Sequence, residues 1–151
     1  MKKQFILILI LVVLAGCGKA AGLVQEKDQE SLSKSTELYY KFLVWKYYEK
    51  AARFVDPKKA REFEDFVIRN QKDLQITDFQ IRDVTYIDDN ESENPDSGEG
   101  KKDLNKSVVR VAFTYFKLPS VSEKSIMIRD TWIQIGDNWY VSSDYPDGTF
   151  E

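Results

Sequence analysis

The chain has 151 residues, of which 42% are hydrophobic and 13% aromatic, a composition that supports a packed core and argues against disorder. Lysine and arginine together number 22 and aspartate and glutamate 25, and this net charge of −3 disfavours nucleic acid or anionic lipid as a partner. The sequence contains no histidine. It therefore lacks the commonest general acid-base residue and transition-metal ligand, and we expect neither a metal nor another cofactor.

The N-terminus has the order of a secretory signal peptide. Two lysines precede an apolar run from Phe5 to Leu14, and the small residues Ala15 and Gly16 follow it. This run covers about ten residues, whereas a membrane-spanning helix needs roughly 20. We therefore expect residues 1–16 to be cleaved rather than to remain as a membrane span.

The residues that end this segment, Leu14-Ala15-Gly16-Cys17, resemble the lipobox of bacterial lipoproteins. The resemblance implies that the Cys17 sulfur is diacylated, that the chain is cut before Cys17, and that the new amino group is also acylated. Cys17 is the single cysteine, so the mature domain forms no internal disulfide. An ordinary signal peptide with an incidental cysteine is the alternative.

The same resemblance implies a location. The protein is expected to be exported and held on the membrane by the lipid on Cys17. Position 18 is glycine rather than the aspartate that retains lipoproteins at the inner membrane. An envelope of two membranes would then place the protein on the periplasmic face of the outer membrane, and an envelope of one membrane would place it on the outer face of the cell membrane.

Two helices are predicted in the first half of the chain, after a tether at residues 17–34 that becomes helical near its end. The first helix is predicted to begin near Ser35–Thr36, where a hydroxyl can cap it, and to continue to Val55. It ends at Asp56-Pro57 because a residue before proline is disfavoured in the α region. A second helix is predicted from this proline to about Asn70, with an apolar stripe of Ala60, Phe63, Phe66 and Val67.

The second half of the chain is predicted to be a sheet. A strand begins at Leu74, and its apolar residues change parity near Arg82–Asp83, which predicts a β-bulge. Residues 90–106 are almost free of apolar side chains and predict a mobile, acidic, solvated loop. Alternating apolar residues then predict a strand that contains Val109 to Tyr115, a second from Ser125 to Ile135, and a last one after the Gly136-Asp137-Asn138 turn.

This order of elements is α+β. Two segments, Trp45–Ala51 and Asp130–Val141, are similar to parts of the nuclear-transport-factor-2-like superfamily, also called SnoaL-like or cystatin-like α+β cones. The resemblance covers about Ser35–Ser143 and implies N-terminal helices packed on a curved, mainly antiparallel sheet. The expected organisation is one α+β domain at residues 35–145, which includes the acidic loop, and a C-terminal tail at residues 146–151.

In that superfamily the cone can hold an apolar ligand, and its enzymes place Asp, His or Tyr in the cavity. No catalytic motif of theirs matches this chain residue by residue, so no catalytic residue is assigned. Strand parity predicts that the hairpin residues of a ligand pocket meet aromatic residues of the first helix. The candidate ligand-binding residues are Tyr40, Tyr47, Phe113, Tyr115, Asp130 and Trp132.

Asp130 has two interpretations. If its strand face lines a cavity, apolar surroundings raise the pKa of Asp130 and make it a candidate general base. Otherwise it pairs with Arg110 or Arg129 across the hairpin, or lies exposed. The aromatic residues of the first helix likewise form either a pocket wall or a packed core.

These features favour a non-enzymatic, membrane-anchored accessory domain of the bacterial cell envelope. Its partners would be the membrane, through Cys17, and either a small apolar ligand or an envelope protein. One alternative is a dehydratase/isomerase-type enzyme that uses Asp130 and a tyrosine. The other is a structural or assembly lipoprotein that forms a homodimer through its sheet.

Overall fold

The computed structural model describes residues 19–87, 106–144 and 148–150, with side chains described from residue 27 onward. In these ranges the order is α1 (Lys19–Val44), α2 (Tyr48–Ala51), α3 (Ala60–Asn70), β1 (Leu74–Ile87), β2 (Lys106–Lys117), β3 (Lys124–Ile135) and β4 (Asn138–Val141). Two 3-10 turns, Ala52–Phe54 and Pro57–Lys59, lie between α2 and α3. The predicted α+β class is confirmed. The loop predicted at residues 90–106 lies outside the described residues, except for Lys106 in β2.

The first helix begins earlier than predicted. α1 starts at Lys19, so residues 19–34 of the predicted tether are helical throughout and not only near its end. The predicted caps, Ser35 and Thr36, lie inside the helix, where their hydroxyls donate to the carbonyls of Ser31 and Ser33 at 2.9 Å. Serine and threonine hydroxyls hydrogen-bond to nearby backbone groups, which favours them at helix caps over helix interiors. They are tolerated inside a helix when they donate to a carbonyl of the preceding turn. Leu32, within the predicted tether, is fully buried.

The first helix also ends earlier than predicted, at Val44. Lys46 has φ +56°, and its N–H and that of Tyr47 donate to the carbonyls of Leu43 and Phe42 at 3.1 and 2.8 Å. This is a Schellman motif with lysine at the position where glycine is usual. The chain changes direction there, so Tyr47 no longer continues the apolar face of α1.

The predicted second helix is confirmed as the 3-10 turn after Asp56 followed by α3. Phe63 and Phe66 are buried, Val67 is half-buried and Ala60 is exposed. The amphipathic spacing therefore identified the buried side of α3, apart from its first residue.

The four strands form one antiparallel sheet in the order β1-β2-β3-β4. The predicted bulge in β1 is confirmed, because the pairing with β2 shifts register between Ile81 and Asp83. A second shift between Ile76 and Asp78 was not predicted. An extra residue in one strand bends it, so both shifts curve the sheet around the helices.

One face of this sheet packs on the helices and the other is open. The buried apolar side chains form one core: Leu32, Tyr39, Tyr40, Leu43, Ala51, Val55, Phe63, Phe66, Leu74, Ile76, Val109, Val111, Phe113, Tyr115, Trp132, Trp139, Val141 and Phe150. Phe150 belongs to the predicted C-terminal tail, and its ring centroid lies 5.1 Å from that of Tyr115. The end of the chain thus closes the core.

The molecule has two ends, which we name by their distance from Lys19, the first residue of α1. At the proximal end, the Gln134 amide donates to Asp28 of α1 at 3.4 Å, and the β3–β4 turn lies next to this contact. At the distal end, Lys46 Nζ donates to the Gln71 carbonyl at 3.2 Å. The β2–β3 turn is also distal, because Leu118 N–H donates to the carbonyl of Asp73, just before β1.

Candidate functional site

A hydrogen bond between α1 and β3 forms the centre of the core. The Tyr40 hydroxyl donates to Asp130 Oδ2 at 2.9 Å, and Asp130 is only 1% exposed. The predicted pairing of Asp130 with an arginine is not what the strands provide. Arg110 and Arg129 lie opposite each other in the register, whereas Asp130 lies opposite the buried Val109. Both arginines are exposed, so they lie on the open face of the sheet.

Burial raises the pKa of Asp130 from its ordinary value of 3.8 to about 6, and hydrogen bonding from Tyr40 and Ser143 opposes the rise. Desolvation disfavours the charged form of a carboxyl group, whereas donors favour it. Asp130 Oδ1 has no hydrogen-bond partner among the described residues. The predicted raised pKa of Asp130 therefore has a structural basis in a half-satisfied, buried carboxyl group.

Tyr40 is held in its neutral form. Burial raises its pKa well above the ordinary value of 10.0, and the nearby charge of Asp130 raises it further. The indole N–H of Trp132 acts in the opposite direction. This N–H does not reach hydrogen-bond geometry with a described residue. The site consists of a phenol that donates to a carboxyl group, with an indole N–H beside it.

Aromatic rings enclose this polar pair. The Tyr40 ring centroid lies 5.3–6.3 Å from those of Tyr39, Phe79, Phe113 and Trp132. Tyr115 is buried on the same sheet face and meets Phe150. Five of the six candidate ligand-binding residues thus belong to one core.

Tyr47, the sixth candidate, lies elsewhere. Its side chain is 49% exposed and packs beside Trp45 and Phe42, with ring centroids 5.9 and 6.4 Å away. The Schellman turn at Lys46 accounts for this difference. Sequence periodicity misses such a turn when the usual glycine is absent.

A second buried carboxylate was not among the predicted sites. Asp56 accepts from Lys58 N–H at 3.0 Å and from the Ser142 hydroxyl at 2.8 Å, and its own N–H donates to the Val141 carbonyl at 2.8 Å. The Asp-Pro sequence indicated only a helix boundary. Asp56 in fact joins the helical layer to β4, so its role is structural.

A surface depression of about 450 Å³ lies at the distal end, and we call it the distal pocket. It is lined by Lys46, Tyr47, Tyr48, Glu49, Lys50, Val67 and Gln71. Burial raises the pKa of Tyr48, so its hydroxyl stays protonated. The ammonium group of Lys50 sits 4.7 Å from the centroid of Tyr47 and 5.7 Å from that of Phe42.

The described residues contain neither a metal-ligand cluster nor a membrane-spanning helix. No group of three or more potential metal ligands occurs in residues 19–87, 106–144 and 148–150. In the same part of the chain, no helix is both long and apolar enough to pass through a bilayer.

Comparison with known proteins gives a family match for the N-terminal segment alone. Residues 1–17 match the prokaryotic membrane lipoprotein lipid attachment site. This match supports a membrane-anchored lipoprotein. No curated protein matches the chain.

The fold of the lipoprotein resembles a solved structure, that of a SEC-C motif containing protein from Rhodopseudomonas palustris. The identity is 14%, the TM-score is 0.50, and the alignment covers 70% of each chain. At this identity the likeness concerns the fold alone. The comparisons do not support the predicted nuclear-transport-factor-2-like resemblance.

Proposed function

We propose that this lipoprotein is a non-enzymatic accessory domain of the bacterial cell envelope, which presents a partner-binding surface at the end opposite its lipid anchor. The observation that carries the proposal is the position of α1, which begins two residues after Cys17 and runs to the distal end. At 1.5 Å per residue, the 26 residues of α1 extend about 39 Å. A rigid helix of this length would hold the distal end well away from the lipid.

The burial of Asp130 supports the absence of catalysis. A general base must come within hydrogen-bond distance of its substrate. Asp130 is enclosed by rings and occupied by Tyr40, so a substrate would reach it only after the core had opened. An isomerase-type enzyme remains the second candidate because the pKa of Asp130, about 6, suits a base near neutral pH.

The expected apolar ligand and the homodimer have different support. Five of the six residues predicted to line an apolar pocket are buried in the core, where Tyr40 packs against Phe113 and Trp132, and this favours a protein or polymer partner over a ligand in the core. The open face of the sheet carries exposed Met127, which is what a sheet-mediated dimer would cover. We also propose that the domain is a nuclear-transport-factor-2-like cone, and the support for this is the curved sheet packed on helices.

The orientation is testable with one fluorophore at each end of β3. Val121 is 75% exposed in the distal β2–β3 turn, and Asp137 is exposed in the proximal β3–β4 turn. The 12 residues of β3 separate these turns by about 40 Å. Because Cys17 is the single natural cysteine and is acylated, Val121→Cys and Asp137→Cys each introduce one free thiol.

Each labelled lipoprotein is reconstituted into vesicles whose headgroups carry a nitroxide quencher. We expect strong quenching of the probe at position 137 and weak quenching at position 121. The same probe on a chain that lacks residues 1–17, and therefore both the apolar run and the lipid, is the control for collisional quenching. Equal quenching at both positions, or stronger quenching at 121, would contradict the proposed orientation.

A further inference from the structure

We propose that the distal pocket binds an acidic carbohydrate, a sugar that carries a carboxylate. The inference rests on the proposed function, which directs this pocket away from the membrane and towards the rest of the envelope. It names the class of partner that the distal end would recognise.

Positive charge without a carboxylate partner is the first argument. Lys46 and Lys50 line the pocket, and Lys41 lies over the ring of the neighbouring Trp45. None of the three forms an ion pair with another described residue, and this includes Glu49 of the pocket lining. Lys46 donates to a carbonyl, whereas Lys41 and Lys50 lie over aromatic rings. Cleavage before Cys17 removes two lysines and lowers the net charge from −3 to −5, so carboxylates are in excess over the mature chain as a whole. An anionic group on a ligand would meet cations that the protein leaves uncompensated.

Exposed aromatic surface is the second argument. Trp45 is 52% exposed beside the pocket, and its ring centroid lies 5.9 Å from that of Tyr47 in an edge-to-face arrangement. Large rings left in water at one place cost free energy that a bound apolar surface recovers. The C–H face of a sugar ring supplies such a surface while its hydroxyls remain solvated.

The shape and the polar lining of the pocket suit the same ligand. A volume of about 450 Å³ falls in the usual range for small-ligand sites, roughly 300–1,000 Å³, and accommodates one or two sugar rings. Glu49, Gln71 and the protonated hydroxyl of Tyr48 provide hydrogen-bonding groups for sugar hydroxyls.

The backbone at the rim is the third argument. A left-handed conformation is strained at a non-glycine residue, because the Cβ atom lies too close to the following carbonyl oxygen. Lys46 adopts it at φ +56°, where glycine would end the helix without strain. The lysine side chain, which lines the pocket, is a reason for this residue to occupy the position.

An anionic membrane surface fits the structure less well. A helix that lies on such a membrane carries mainly basic residues on its polar face. The exposed side of α1 instead alternates in sign at Lys27, Glu30, Lys34 and Glu37. The distal pocket is therefore assigned to a carbohydrate rather than to lipid.

The test measures binding to the full-length lipidated protein in detergent micelles by titration calorimetry. The probe is the disaccharide of N-acetylglucosamine and N-acetylmuramic acid, which carries a carboxylate. The matched neutral probe is the disaccharide of N-acetylglucosamine. We expect binding of the acidic probe to exceed that of the neutral probe at least 10-fold and to weaken as salt is added.

Variants locate the site. Lys50→Gln and Trp45→Ala are each expected to weaken binding of the acidic disaccharide at least 5-fold. Lys34→Gln, which removes the same charge from the exposed side of α1, is expected to leave it unchanged. Unaltered circular dichroism of each variant excludes misfolding.

Three results would overturn the proposal. The first is that no disaccharide binds at millimolar concentration, and the second is that both disaccharides bind equally. The third is that Lys50→Gln weakens binding of an acidic peptide or of phosphatidylglycerol vesicles but not of the acidic disaccharide. The vesicle quenching experiment is independent of all three. If the acidic disaccharide does not bind but the probe at position 121 is still only weakly quenched, the carbohydrate proposal is rejected and the proposed orientation is retained.

Discussion

Replacing Asp130 with asparagine should change the pH dependence of stability. The asparagine side chain keeps an oxygen that accepts from Tyr40 but cannot ionise. In the wild-type protein the folded-state pKa of Asp130 is about 6, above the ordinary value of 3.8 that applies to the unfolded chain. The folded state therefore keeps this proton at pH values where the unfolded chain has lost it.

The sign of the effect follows from proton linkage. A raised pKa contributes stability that is fully present below pH 3.8 and is lost as the pH rises through 6. A shift of about two pKa units corresponds to about 3 kcal/mol in the free energy of unfolding over the whole window. Between pH 4 and pH 7.5 most of this change occurs, about 2–3 kcal/mol.

Urea denaturation of both proteins at pH 4 and pH 7.5 measures the change. The free energy of unfolding of Asp130→Asn minus that of wild type should be about 2–3 kcal/mol larger at pH 7.5 than at pH 4, which means that the variant gains relative stability as the pH rises. Asp137→Asn, which removes an exposed carboxylate from the same sheet, controls for the loss of one charge. A relative stability that varies by less than about 0.5 kcal/mol between the two pH values would refute a raised pKa at Asp130.

Three further predictions concern the core and its connections. Trp132→Ala should lower the free energy of unfolding, measured by urea denaturation, by about 3–5 kcal/mol because the side chain is fully buried. A loss below about 2 kcal/mol, together with binding of an apolar dye, would instead indicate an open pocket. Asp56→Ala should lower the free energy of unfolding by about 1–3 kcal/mol, and a double-mutant cycle with Ser142→Ala should show coupling between the two side chains. Additive losses would mean that their hydrogen bond does not contribute to stability. Replacing residues 88–105 with a short turn should lower the Tm, measured by calorimetry, by less than about 8 °C because Ile87 already pairs with Lys106. A larger decrease would mean that this segment stabilises the domain.

The sheet was predictable from the sequence because each strand carries its own signal. Apolar and polar residues alternate from Val109 to Tyr115, and the parity change in β1 marks the bulge at Arg82. The same alternation placed Asp130 on the face of Trp132. These features depend on neighbouring residues and so can be seen locally.

Features that depend on distant contacts or on unusual local chemistry were not predictable. The polar first half of α1 has little apolar periodicity, and Leu32 alone does not indicate a helix. Lysine rather than glycine ends α1, so the turn that exposes Tyr47 carries no standard signal.

The same limit applies to the candidate site. The partner of Asp130 is Tyr40, 90 residues earlier in the chain, and parity alone cannot choose it among the tyrosines of α1. Phe150 also joins the core from a segment that looks like a polar tail. Both contacts arise from how the layers pack, which sequence patterns do not encode locally.

Lipid attachment at Cys17 is tested by the mass of the intact protein extracted from membranes with detergent. We expect a chain that begins at Cys17 and carries a diacylglyceryl group on its sulfur, with or without a further acyl chain on the amine. Two or three chains, at about 0.8 kcal/mol for each buried methylene group, make such an anchor stable, whereas one chain would be marginal. Cys17→Ser protein should retain residues 1–16 and gain no lipid. A wild-type chain that begins at Cys17 without added lipid would show that the protein is not a lipoprotein.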